Sequence, residues 1–364
     1  MRVLFAPDWR GGVPYQRLLA DALAKRNVDV VFPNGYKRIL PLSRGLDAAG
    51  PCDILHLHWP EAYFAKHGQV SDHFRQIRFP FDLRRATRRA ALVTTAHNLL
   101  PHNRDDAAAA RNMRTVYQAS RIVLAHSTGA KELLCQTYDL DPAKVLVIPH
   151  GDLSSTLGQP VPQAQARAEL GLPPTGKIAL MFGAIEPYKG QEEVIRWWRT
   201  SDRDTTLAIV GRVSAAQTLA RIKGAIAGDP RIMLRPDWVS DDDLTKWLSA
   251  ADVAVFNYER ILTSGGAALA RSWGLPILLP SRLFTVDLGA ADGSVHRFKS
   301  LNADFADRLA DALDVPPSYE RARSWRAACD WSLIAEECRA AYSQAMSINR
   351  QSASAALLAA PARS

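Results

Sequence analysis

Apolar positions along the chain gather in short Val-, Ile- and Leu-rich runs, and between the runs lie longer stretches whose apolar residues recur at helical spacing. In the first half the runs fall at residues 3–5, 28–32, 54–57, 92–95, 122–124 and 145–148, and residues 18–25 read as an amphipathic helix. A stretch rich in Gln, Pro and Gly, 157–174, interrupts the alternation and carries one short helix at 164–170. The pattern then resumes with strands at 178–182, 206–210, 232–234, 253–256 and 277–279 and helices at 192–199, 215–226, 241–249 and 266–273. Strands alternating with helices predict parallel sheets covered on both faces. The chain is therefore expected to form two doubly wound, Rossmann-like α/β domains, residues 1–156 and 175–328, joined by a linker at 157–174, with a disordered tail at 349–364.

Ligands of open parallel sheets sit beyond the carboxyl ends of the strands, which directs attention to the polar residues just after each apolar run. In the first half these are Asp8, Trp9, Arg10, Gly11 and Gly12; then His56, His58, Trp59 and Glu61; then His97 and Asn98; then His126; then His150. In the second half they are Glu186, Tyr188, Lys189 and Gly190; Gly211 and Arg212; Asp237 and Trp238; and the segment Tyr258-Glu259-Arg260 followed by Thr263-Ser264-Gly265-Gly266. Two glycines opening a helix after a strand put free N–H groups and a positive dipole end at one spot, a place to hold a phosphate.

Composition narrows the partners. With 47% apolar and 23% charged residues, a chain of 364 residues is globular rather than disordered. Its formal charge of +8 implies an anionic partner. Basic residues are not interleaved with aromatics along a stripe, and no nucleic-acid-binding motif occurs, so no nucleic-acid partner is expected. Arg75, Arg78, Arg84, Arg85, Arg88 and Arg89 cluster instead, and Arg84/Arg88 and Arg85/Arg89 form like-charge pairs that repel on an isolated helix, which suits an anionic membrane surface. The four cysteines are scattered, and the Asp139/Asp141 and Asp202/Asp204 pairs fall in surface turns, so no disulfide and no metal site are expected. The first apolar run is too short for a signal peptide and no run approaches the roughly 20 residues that span a bilayer. Cytoplasmic localisation follows, with any attachment to the inner face of the membrane peripheral.

Phe182-Gly183-Ala184-Ile185-Glu186-Pro187-Tyr188-Lys189-Gly190, Ser249-Ala250-Ala251-Asp252-Val253-Ala254-Val255-Phe256 before the glycine-opened helix, and Trp273-Gly274-Leu275-Pro276 together resemble motifs of the GT-B glycosyltransferases, especially the group related to family 4. Residues 331–342 resemble the terminal helix that crosses back to the first domain in that fold, giving a helix at 329–348. The resemblance implies two Rossmann-like domains facing across a cleft, no cofactor, and a nucleotide-sugar donor as substrate. It implies donor binding by Glu186, Tyr188, Lys189, Arg212, Trp238, Tyr258, Glu259, Arg260, Thr263, Ser264, Gly265 and Gly266, with Lys189 on the diphosphate. His97, within Thr94-Thr95-Ala96-His97-Asn98, matches a histidine that contacts the transferred sugar; Glu61, His97 and Asp8 are the candidate bases, and Gly11, Gly12, His58 and Trp59 the candidate acceptor contacts.

Two departures are visible. The arginine that relatives carry ahead of the lysine is absent, Ala184 and Glu186 standing in that loop, and Arg212 or Arg260 are candidate substitutes. Retaining relatives carry a second glutamate eight positions after the first; eight positions after Glu259 stands Ala267. The pattern is closer to bacterial exopolysaccharide β-mannosyltransferases. The expected activity is metal-independent, inverting transfer of a hexose, mannose from GDP-mannose being the specific case, to a lipid-linked oligosaccharide or polysaccharide. The alternatives are a nucleotide-sugar epimerase and a catalytically inactive sugar-nucleotide-binding protein of the same fold.

Overall fold

The computed structural model describes residues 1–33, 39–64, 71–99, 107–283, 285–289 and 292–358. It divides into two compact units, residues 1–151 with 330–364, and residues 152–329.

The first unit contains β1 (Arg2–Ala6), α1 (Pro14–Ala24), β2 (Asp29–Val31), α2 (Pro41–Ala49), β3 (Ile54–His58), α3 (Ser71–Ala86) and β4 (Ala91–Thr95). It continues with α4 (Ala107–Ala119), β5 (Ile122–Ala125), α5 (Thr128–Tyr138) and β6 (Val145–Val147). The sheet is parallel throughout, in the order β2-β1-β3-β4-β5-β6. β3 and β4 are buried at every position, which is why they read as unbroken runs rather than as alternating strands. The strand order reverses between β1 and β3, so this is where a crevice opens at the carboxyl ends.

The second unit contains α6 (Gln163–Leu170), β7 (Lys177–Phe182), α7 (Gln191–Thr200), β8 (Thr205–Val210), α8 (Ala216–Ile226), β9 (Ile232–Arg235) and α9 (Asp241–Ala250). It ends with β10 (Val253–Val255), α10 (Gly265–Ser272), β11 (Ile277–Pro280), β12 (Val295–Phe298), α11 (Phe305–Asp314) and α12 (Tyr319–Ala328). Its parallel sheet runs β12-β11-β10-β7-β8-β9, the order of a dinucleotide-binding fold, reversing between β7 and β10. Apolar clusters lie on both faces, one around Leu180, Phe256 and Trp247, the other around Trp198, Ile209 and Phe305.

Three expectations change. Residues 157–174 are not a free connection: the Arg167 guanidinium donates to Asp252 at 2.8 Å and to the Ala250 carbonyl at 3.2 Å, both buried, and Gly158 N–H donates to Thr245 at 3.1 Å. The second unit therefore starts at Asp152. α13 (Trp331–Leu358) returns to the first unit, where Ile334, Cys338 and Tyr342 join the core beside Tyr15 and Leu19. It runs through residues expected to be tail, 349–358, because adding a turn to an existing helix costs little once the helix is nucleated; residues 359–364 lie outside the described residues. Finally, α3 ends at Ala86, so Arg88 and Arg89 lie in the next turn and the two arginine pairs do not sit on one helix. Arg89 is moreover paired with Asp47 at 2.7 Å.

Candidate functional site

At the carboxyl end of the first sheet, register alone brings the histidines together. His58 pairs with Thr95, two positions before His97, while His126 follows the last residue of β5 and His150 follows β6. Tyr15, buried on α1, sits at their centre, its ring centroid 5.0 Å from His97, 5.6 Å from His126 and 5.1 Å from His150. His56 has a structural role: it bridges Tyr342 of α13 and Thr95, each at 2.8 Å. His58 Nδ1 lies 3.2 Å from His97 Nε2, and the His97 ring stacks on Trp59 at 3.7 Å and 10°. Trp59 holds this pose with a left-handed backbone (φ 48°), uncommon for a bulky residue and frequent at functional sites.

Burial sets the charge state of this cluster. Desolvation lowers the pKa of His56 and of His126 to about 3 and drives those of His58 and His97 well down, with neighbouring histidines adding to the effect on the latter two. All are neutral imidazoles at pH 7. The same burial raises the Glu61 pKa, opposed by the hydrogen bond from Asn98 Nδ2 to Oε1. Glu61 lies in the short 3-10 turn Pro60–Tyr63 that follows Trp59, and its second oxygen, Oε2, is buried with no hydrogen-bond partner among the described residues. Among the described residues His58 Nε2 and His126 Nε2 are buried and unpartnered as well. Each such group carries a penalty of about 1–3 kcal/mol until a partner arrives.

Asp8 differs from Glu61. The Arg10 guanidinium grips its carboxylate through Nε at 3.0 Å and NH2 at 2.9 Å, lowering its pKa, so it is the weaker base of the two. The loop holding it is pinned by buried Gln16, which accepts from Trp9 N–H at 2.7 Å and donates to the Pro7 carbonyl at 2.9 Å. Gly11 and Gly12 are exposed, and a β-carbon on either would meet no protein atom within 4 Å, so the fold itself does not demand glycine there.

In the second unit the loops after β7 and β10 meet at the reversal point. Glu259 N–H donates to the Tyr188 carbonyl at 2.7 Å, and Asn257 Nδ2 donates to the Gly190 carbonyl at 3.2 Å. Gly190 has φ 67°, and a β-carbon there would overlap the Asn257 carbonyl, so only glycine lets the two loops close. Closure puts Lys189 Nζ 5.5 Å from the Tyr258 ring centroid. Burial pushes the Lys189 pKa down to about 8, with Glu186 opposing the shift. Among the described residues this ammonium makes no ion pair. Ser264 caps α10, its hydroxyl accepting from Ala267 N–H at 3.1 Å, which leaves the first-turn N–H groups of Gly265 and Gly266 to a ligand. Tyr258 is fully enclosed and hydrogen-bonds Ser264, so it supports the cap rather than reaching out. Ala267 is buried in the apolar cluster.

Arg212 and Trp238 are both exposed, 5.7 Å apart as a cation–π pair at the ends of β8 and β9. Arg260 is exposed, and Thr263 half-buried. A residue that the motifs do not reveal is Arg282, after β11. It donates to the Asn257 carbonyl at 3.2 Å, to Asn257 Oδ1 at 2.9 Å and to the Tyr258 carbonyl at 3.2 Å, bracing the same loop. In the first unit Asn98, which the sequence marks after β4 without a role, orients Glu61.

Residues 3–152 match the family described as Glycosyltransferase Family 4. A GDP-mannose:glycolipid 4-beta-D-mannosyltransferase of Xanthomonas campestris pv. campestris is 28% identical over 270 residues, 73% of this chain and 69% of the relative. A D-inositol 3-phosphate glycosyltransferase of Corynebacterium aurimucosum is 26% identical over 81% of this chain and 72% of its own length. Among solved structures, sucrose-phosphate synthase from Thermosynechococcus elongatus matches with a TM-score of 0.69 at 17% identity, covering 95% of this chain and 99% of the other. Anabaena HepE in complex with UDP and glucose matches with a TM-score of 0.65 at 13% identity, over 94% and 99%.

Proposed function

We propose that this chain, whose residues 3–152 match Glycosyltransferase Family 4 and whose fold is GT-B, is a glycosyltransferase that moves mannose from GDP-mannose to a lipid-linked oligosaccharide or polysaccharide, with inversion. The observation that carries this reading is Lys189, a desolvated ammonium that makes no ion pair among the described residues and lies 5.5 Å from the ring of Tyr258, the residue that hydrogen-bonds the Ser264 cap of α10. A donor diphosphate supplies the missing negative charge, and the charge that grows on it as the glycosidic bond breaks is met by groups already in place. Gly265, Gly266 and Ser264 would face the phosphates, while the exposed Arg212 and Trp238 suit the nucleoside end.

The first unit would bind the acceptor. Glu61 Oε2 would accept the proton of the acceptor hydroxyl as its oxygen bonds to the anomeric carbon, and the bond from that carbon to the phosphate oxygen breaks with its electron pair leaving on the nucleoside diphosphate. His97 and Trp59, stacked together, would line the sugar-binding surface with His58 behind His97. The buried Ala267 in place of a second glutamate favours inversion over a retaining mechanism. An acceptor hydroxyl would also satisfy the orphaned Glu61 oxygen, which an epimerase would leave unused.

The choice of mannose and of a glycolipid acceptor is supported by the 28% identical relative named for that reaction. Among the described residues no helix is long and apolar enough to cross a membrane. A cytoplasmic protein attached peripherally to an anionic membrane through the Arg75–Arg89 region would meet such an acceptor. The reaction as drawn uses no divalent metal, and turnover that survives excess chelator is the expected result. The donor is tested by thermal unfolding with GDP, UDP, ADP and their sugars: GDP and GDP-mannose should stabilise by mass action. Stabilisation by UDP alone would replace the donor, and by no nucleotide would remove the reading.

A further inference from the structure

Among the described residues eight large apolar side chains are exposed, and three of them, Phe74, Ile77 and Phe81, lie on α3, each about two-thirds exposed. At about 100° per residue these three share one helical arc of about 100° with Arg84 and Arg85. The opposite side carries Phe79, Asp82, Leu83 and Ala86, all buried. The helix thus shows the solvent an apolar stripe that ends in a basic turn.

Two contacts fix that orientation. Buried Asp82 caps α2, accepting from Leu42 N–H at 2.8 Å, Ser43 N–H at 3.0 Å and the Ser43 hydroxyl at 2.6 Å. Pro80 has no N–H to offer the Gln76 carbonyl one turn back, and Asn112 Nδ2 of α4 donates to it instead, at 3.1 Å. The stripe is therefore held outward by both neighbouring helices, and no rotation of α3 could bury it without breaking these bonds. Arg84, Arg85 and Arg88 are exposed and form no ion pair among the described residues, whereas Arg89 is neutralised by Asp47 and Arg75 and Arg78 are half-buried.

We propose that this face of α3 docks in the interfacial layer of an anionic lipid bilayer, with Phe74, Ile77 and Phe81 among the upper acyl carbons and Arg84, Arg85 and Arg88 on lipid phosphates. The charge complementarity selects the occupant: a helix lying in the membrane plane combines apolar anchors with basic flanks. The inference deepens the proposed function, resting on its membrane-borne acceptor, and assigns the apolar residues of α3, not the arginines alone, to the attachment.

The test is co-sedimentation of the full chain with phosphatidylcholine vesicles, with and without phosphatidylglycerol, at low and high salt. Wild type should pellet with the anionic vesicles and retain part of that binding at high salt. The variant F74S/I77S/F81S should bind at least about ten-fold more weakly at either salt, and R84Q/R85Q should lose the preference for anionic lipid. Single variants F74S and F81S, at exposed positions and with wild-type thermal unfolding, should each show part of the loss, so a triple variant that fails to fold does not leave the matter open. Pelleting of the apolar variants equal to wild type would overturn the proposal. So would a wild-type dimer that these substitutions dissociate, with no vesicle binding. Nucleotide-dependent thermal stabilisation, measured on the same proteins without lipid, separates the two readings: its absence sinks the transferase and leaves docking standing, and its presence with no vesicle binding does the reverse.

Discussion

The two sheets each reverse their strand order once, between β1 and β3 and between β7 and β10, yet the two reversal points are furnished in opposite ways. The first gathers neutral imidazoles and a carboxyl group whose pKa is raised; the second presents an ammonium whose pKa is lowered, over the ring of Tyr258, which hydrogen-bonds the cap of α10. One cause, loss of water, acts at both. At Glu61 it increases the group's appetite for a proton, which suits a base. At Lys189 it leaves a positive charge short of a counter-ion, which suits an anionic ligand. Scaffolds of the same class acquire different chemistry according to which sign of charge the loops enclose.

Removing the base should have the largest effect. Glu61→Gln keeps the shape and the Asn98 contact but cannot take a proton, and kcat should fall by about 10²–10⁴-fold. Nucleotide-dependent thermal stabilisation should stay as in wild type. Because the Glu61 pKa is raised, the acid limb of the wild-type rate profile should lie above the ordinary glutamate range, with activity lost as pH falls through it. If Glu61→Gln turns over at the wild-type rate, the proton goes elsewhere and His97→Ala becomes the variant to measure.

Lys189→Ala should lower kcat by about 10²–10³-fold, the effect of removing one preorganised electrostatic contact, and should remove most of the stabilisation by nucleotide as well. In the wild-type protein nucleotide affinity should fall as pH rises through about 8, where the free ammonium gives up its proton. Affinity that is flat from neutral pH into this range, in a calorimetric titration, would show that the lysine does not meet the phosphates.

The histidine cluster is tested on stability. His56 and His126 have native pKa values of about 3 against an ordinary value of 6.5, so between these limits the unfolded chain binds more protons than the folded one. Stability is complete above about pH 6.5 and is lost as pH falls toward 3, at up to about 1.4 kcal/mol per pH unit for each histidine. Urea midpoints across this range measure it. The loss should originate in the first unit, since the second encloses no such cluster among the described residues.

Much of the frame was legible because it depends on local pattern. The strand runs, the polar residues after them, the glycine pair of α10 and the Lys-Gly turn all stand within a few residues of one another. What escaped reading depends on partners far along the chain. The stretch at 157–174 looked like a connection until Arg167 met Asp252, 85 positions away. Arg282 is silent as sequence and becomes a brace only because β11 lies beside β10. Phe79 and Phe81 look alike in the chain, yet one is in the core and the other in solvent. Asn98 matters through the carboxylate of Glu61, 37 positions away.

Glycines give the smallest and most discriminating contrast between the two reversal points. At Gly190 the left-handed backbone and the close Asn257 carbonyl require glycine, so Gly190→Ala should destabilise by about 1–3 kcal/mol and weaken nucleotide binding together with it. At Gly11 neither condition holds. Gly11→Ala should change stability by no more than about 0.5 kcal/mol, as at an ordinary surface site. If the loop after β1 is kept bare for an acceptor, the same substitution should raise the acceptor KM while the donor KM and the urea midpoint stay where they were. An unchanged acceptor KM in Gly11→Ala and Gly12→Ala would mean that the acceptor is held by the Trp59 and His97 side of the first unit alone.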